Sequence, residues 1–104
     1  MSIWLQTIDL TMLNALSKNN MLEHLGIEFT EIADNYLVAR MAVDHRTQQP
    51  LGILHGGASC VLAESVASIA ANFCVDITQF YCVGIDINTN HIRPVSNGFV
   101  TATA

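Results

Sequence analysis

Charged side chains are scarce in this 104-residue chain: they make up 12% of it, and only four are Lys or Arg. Those four stand apart from one another, and the formal net charge is −5. A nucleic-acid-binding face needs clustered positive charge, so that class of partner is excluded. Cysteine is sparse too. Cys60, Cys74 and Cys82 are odd in number, have no Cys-x-x-Cys spacing and lie among apolar residues. They read as reduced core residues of a cytoplasmic protein. A zinc site joining them to His55 or His91 lacks the ligand spacing, so no metal is expected. The first ten residues have no basic run, and Gln6 and Asp9 interrupt their apolar character, so no secretory signal is expected. The long apolar run at residues 58–75 carries Ser59, Glu64, Ser65, Ser68 and Asn72. That is too polar for a lipid-facing span, so no membrane partner is expected. Internal repeats and low-complexity stretches are absent.

What the chain has in excess is apolar character, 51% of its residues. Residues 1–104 read as one domain, and so much apolar side chain in a small domain points to a subunit interface. Asp9 is placed to cap a short helix over residues 10–17, and residues 21–25 add a helical turn before Gly26. Strands at 27–32 and 36–43 flank the turn pair Asp34-Asn35. Within the second, Leu37, Ala39, Met41 and Val43 alternate with Val38, Arg40 and Ala42, so one side should face the core. A polar loop, 44–50, leads into a helix from about Gly57 to Cys74. Its apolar residues occupy nearly the whole circumference, which predicts a surrounded helix. The exception is a stripe at i, i+4 spacing, Cys60, Glu64, Ser68 and Asn72, suited to lining a cleft. Residues 81–92 alternate as a long strand, Pro94 ends it, Ser96-Asn97-Gly98 turns the chain, and 99–104 begins another strand. This order predicts an α+β fold, an antiparallel sheet wrapped round one central helix. A doubly wound parallel fold is excluded for want of crossovers.

Two places carry chemistry. The first N–H groups of a helix lack intrahelical acceptors and sit at its positive end. His55-Gly56-Gly57 offers such donors with little bulk, suited to a carbonyl oxygen that becomes an oxyanion, or else simply eases a loop into a helix. Glu64 lies beyond the range of its own helix dipole. It is either a general base or nucleophile in a cleft, or a carboxylate paired with Arg40, Arg46 or Arg93. His55 orients a substrate or is structural. Gln49 bonds a ligand carbonyl or its own loop. Ser68 holds a water or bonds back to the helix. Arg93, in Asn90-His91-Ile92-Arg93-Pro94, meets a phosphate or lies free on the surface.

The sequence Gln49-Pro50-x-Gly-x-x-His55-Gly56-Gly57, followed by Ala63-Glu64-Ser65, resembles the hotdog-fold acyl-CoA thioesterases. The branch is the one with Glu on the central helix, the 4-hydroxybenzoyl-CoA and phenylacetate-pathway type. The bacterial 1,4-dihydroxy-2-naphthoyl-CoA thioesterase-like group is the nearest likeness. Val43-Asp44-His45-Arg46-Thr47, Val83-Gly84-Ile85-Asp86-Ile87-Asn88 and Asn90-His91-Ile92-Arg93-Pro94 match as well. The resemblance implies hydrolysis of an acyl-CoA, with an aromatic or bulky acyl group, to acid and CoA without a cofactor. It implies Glu64 as nucleophile or general base and the Gly56 N–H as donor to the carbonyl. His55 and Gln49 would position the thioester, and Ser68 would assist Glu64. Gly84, His91, Ile92, Arg93 and Pro94 would contact CoA. The site would lie across a homodimer, with dimers pairing into tetramers. Members of the family continue with two further strands, so the hotdog domain here is expected to be incomplete at its C-terminus. A hotdog dehydratase or hydratase, and a non-catalytic acyl-CoA-binding module, are the alternative functions.

Overall fold

The computed structural model describes residues Met1–Ala104. Helix α1 (Leu10–Leu16) opens at Asp9, whose carboxylate accepts from the Met12 N–H at 2.8 Å. Helix α2 (Met21–His24) is a single turn capped by Asn20. Strands β1 (Ile27–Ile32) and β2 (Leu37–Ala42) form the expected hairpin, with a register shift between Phe29 and Glu31. Helix α3 (Gly56–Phe73) crosses the sheet, and β3 (Phe99–Thr103) then pairs antiparallel with the other edge of β2. The sheet order is β1-β2-β3.

Period-two patterning decides which side of the sheet meets α3. Leu37, Ala39 and Met41 are fully enclosed and Val43 is buried, one face of the alternation, while Val38 on the other face is buried as well. Phe29 and Ile27 join them from β1, Leu13 from α1, and Ala58, Leu62 and Val66 from α3. Each large side chain fully withdrawn from water here contributes about 1.5–3 kcal/mol. Asn14 docks α1 on β1: its amide accepts from the Phe29 N–H at 2.8 Å and donates to the Phe29 carbonyl at 3.1 Å. The N-terminal segment closes the far end of α3, where the Leu5 N–H satisfies the Phe73 carbonyl at 2.8 Å. No helix is long and apolar enough to cross a membrane.

Two expectations are corrected. First, α3 is not surrounded. Only Ala58, Leu62 and Val66, spaced four apart on the side toward the sheet, are buried. Glu64, Ala63 and Ala67 point the other way and are exposed. The helix is apolar all round, but a three-stranded sheet covers only one side. Second, residues 81–92 form no strand. The segment passes along the outer side of α3, from Asn72 to Gly56. Asn72 holds it at one end, its amide donating to the Cys82 carbonyl at 2.9 Å and accepting from the Cys82 N–H at 2.7 Å. Near the other end the Cys60 thiol meets Thr89 Oγ1 at 3.3 Å, and His91 lies against Gly56. From Asn72 to Gly56 the helix rises roughly 24 Å at 1.5 Å per residue. The step from Cys82 to His91 covers a similar span at about 2.7 Å per residue, open but short of the roughly 3.3 Å of a strand. A strand also needs a ladder of bonds to a neighbouring strand, and this segment, with nearly every side chain exposed, has none. The cysteines are free, as expected, yet half-buried beside this segment and at the end of α3 rather than in the core.

Candidate active site

Residues 43–55 are built to deliver His55 and Gly56. Thr47 is buried, and its hydroxyl donates to the Ala42 carbonyl at 2.8 Å and accepts from the Asp44 N–H at 3.2 Å. Arg46 returns to Asp44 at 2.7 Å and covers Gly26, where a Cβ would strike its guanidinium. That guanidinium, and then the Arg46 backbone N–H, hold the Asp44 carboxyl well below the ordinary range, at about 2. The loop then doubles back through a Gln48–Leu54 bridge, with Gly52 at φ 81 supplying the left-handed residue of the turn.

His55 is the N-cap of α3. Its Nδ1 accepts from the Gly57 N–H at 2.8 Å, which leaves the ring proton on Nε2 and that nitrogen pointing outward as a donor. The Gly56 N–H heads the helix and has no acceptor in the chain. Gln49 uses its side-chain oxygen on the Leu51 N–H, so the loop-bonding role holds for that atom, while its Nε2 has no partner. Beside them runs the 82–92 segment. A Cβ on Gly56 would lie 2.7 Å from His91 Nε2, so the bare glycine admits the imidazole to the first turn of the helix. Gln49, Gly56, His91, Ile92, Arg93 and Pro94 line one open cavity of about 570 Å³. Six sequence-predicted residues thus come together at the helix start. His55 stands at the edge as cap and does not line the cavity.

Glu64 lies elsewhere. Eight residues on, it is roughly 12 Å farther along α3. It makes no hydrogen bond or ion pair within the chain. Arg40 is engaged with Glu28 at 3.6 Å and stacks on Phe99, Arg46 is engaged with Asp44, and Arg93 lines the cavity at the helix start. Within the chain, Glu64 forms no ion pair with any of the three arginines. Its carboxylate faces Gly84, and the two line cavities of about 430 and 470 Å³ with Ser68 and Cys82. The second of these is walled by Met21, Leu22, Val61, Ile69 and Val83. Ser68, one turn beyond Glu64, makes no side-chain hydrogen bond and turns toward the same space. None of these three cavities holds both Glu64 and Gly56. Asn72 was legible as part of the polar stripe, but its grip on Cys82 was not, because spacing names a face and not what touches it.

The sequence model described as the thioesterase superfamily matches residues 51–104. A Vibrio cholerae protein named as an esterase is 57% identical over 104 residues, which are all of this chain and 69% of that protein. The 1,4-dihydroxy-2-naphthoyl-CoA hydrolase of Escherichia coli is 49% identical over 98 residues, covering 94% of this chain and 71% of its own. The crystal structure of a mutant thioesterase from Pseudomonas aeruginosa matches with a TM-score of 0.95 at 53% identity, over 98% of this chain and 73% of that one.

Proposed function

The chain is a hotdog-fold enzyme that belongs to the thioesterase superfamily, and on that premise we propose that it hydrolyses acyl-CoA thioesters with Glu64 as the reactive carboxylate. The observation that carries the reading is the solitude of Glu64. A carboxylate beside apolar walls, with no cation or donor of its own, is free to act on a bound substrate. As a base, Glu64 takes a proton from water while the oxygen adds to the acyl carbon. As a nucleophile, it forms an anhydride that water opens. In both routes the C–S bond breaks, the sulfur leaves as the CoA thiol and the acyl carbon leaves as a carboxylate.

The charge that grows on the thioester oxygen needs donors. The unpaired Gly56 N–H at the positive end of α3 and the free Gln49 Nε2 suit it, with His55 Nε2 beside them. Within one chain these lie too far from Glu64 to share one carbonyl. We therefore assign the site to a homodimer, Glu64 from one protomer meeting Gly56 of its partner. Arg93 and His91, at the helix-start cavity, would hold the CoA end. The apolar walls beside Glu64 suit an aromatic or bulky acyl group, and the relative from Escherichia coli is named for a naphthoyl thioester. The three free cysteines fit the reducing cytoplasm. Thiol release from aromatic, short and long acyl-CoAs tests the reading. Glu64→Ala should lower kcat by about a hundredfold to ten-thousandfold with the fold intact. Unchanged turnover would remove Glu64 from the chemistry.

A further inference from the structure

Gly84 has no side chain, and its backbone does not explain why. The glycines with positive φ are Gly26, Gly52 and Gly98; Gly84 is not among them, so its conformation is open to any residue. What the missing side chain makes room for is Glu64. A Cβ at position 84 would stand 2.6 Å from Glu64 Oε1 and 3.3 Å from Cδ. Such a contact is closer than a carbon and an oxygen tolerate, so one of the two must move. Glu64 is the one that yields, because its carboxylate is the free end of an exposed side chain with no bond to hold it.

We infer that Gly84 is a positioning residue for Glu64, keeping the space in which the carboxylate sits ready to react. The inference rests on the proposed role of Glu64. It gives Gly84 a role distinct from contact with CoA, the one its sequence match implied. Asn72 fixes the height of the segment two residues away, at Cys82, so Gly84 is held opposite the carboxylate rather than drifting past it. A methyl group at 84 would displace the carboxylate by an ångström or so and strip water from one of its oxygens. The first change slows the reaction, because misplacement on that scale costs about a hundredfold in rate. The second weakens the carboxylate's contact with the water it is proposed to act on.

The test is a double-mutant cycle of Gly84→Ala and Glu64→Ala, read by thiol release and thermal unfolding. Gly84→Ala should lower kcat about tenfold to a hundredfold and leave KM and the unfolding midpoint unchanged. On the Glu64→Ala background it should have no further effect, because the group it acts through is gone. A raised KM with kcat unchanged would assign Gly84 to CoA contact and overturn the inference. An equal loss on both backgrounds would overturn it too. Should Gly84→Ala unfold the protein, the space at 84 serves packing rather than Glu64, and the inference is wrong. If Glu64→Ala alone leaves turnover intact, the parent reading fails with it. An inactive Glu64→Ala beside a fully active Gly84→Ala removes the inference alone.

Discussion

Among the carboxylates that meet a cation, Asp44 is held most firmly. Arg46 donates to both of its oxygens, and the Arg46 backbone N–H adds a third bond. These hold its ionisation at about 2, against 3.8 for an unperturbed aspartate. Because the folded value is the lower one, the pair contributes stability above pH 3.8, and that contribution drains away as pH falls through about 2. Asp44→Asn should therefore unfold at lower temperature than the natural chain near neutral pH, and the gap should close across that acid window. Thermal melts of the two proteins along a pH series read this directly; a gap that stays constant would mean that Asp44 acts through something other than its charge. Glu64 is the opposite case. It is a carboxylate that the chain leaves without a partner, and Gly84 makes room for it without binding it.

At the scale of elements, α3 and the 82–92 segment form one unit by reciprocal contacts. Gly56 on the helix receives His91 from the segment, and Gly84 on the segment receives Glu64 from the helix. Asn72 sets the register. Its amide replaces a missing strand partner by bonding both backbone groups of Cys82. Asn72→Ala removes both bonds, should cost roughly 1–3 kcal/mol of local stability, and should speed hydrogen exchange at the Cys82 amide. An unchanged exchange rate there would show the segment to be held by other contacts. The sequence carried much of this unit. Asp9 marks a helix start because caps are local, and α3 begins one residue before its expected position, with His55 as a cap not read from the sequence. Alternation in β2 correctly predicts one face in the core, a local pattern, although Val38 on the other face is buried as well. Residues 81–92 failed for a physical reason. Periodicity reports which side chains share a side, whereas a strand exists only through hydrogen bonds to another backbone. The surrounded helix failed similarly: apolar content says that a helix can be covered, and the number of neighbouring strands decides how much of it is.

The whole molecule presents an unfinished surface. Tyr81, Val83, Ile85 and Ile92 are 78%, 71%, 99% and 91% exposed on a segment whose backbone is unpaired. Exposed apolar side chains beside free backbone groups favour association. The candidate chemistry calls for a partner as well. The motif joining Gln49, His55, Gly56 and Glu64 was readable as a set, and the expected helix already placed Gly56 and Glu64 roughly 12 Å apart along it. The proposed homodimer would answer both features at once, covering apolar surface and setting one protomer's Glu64 opposite the other's Gly56. Co-expression of two inactive chains, one carrying Glu64→Ala and the other Gly56→Val, each with its own tag, puts this to a single measurement. Doubly purified mixed dimers contain one site with both Glu64 and Gly56 intact. They should release thiol from an aromatic acyl-CoA where neither parent does. Mixed dimers as inactive as their parents would contradict the shared site.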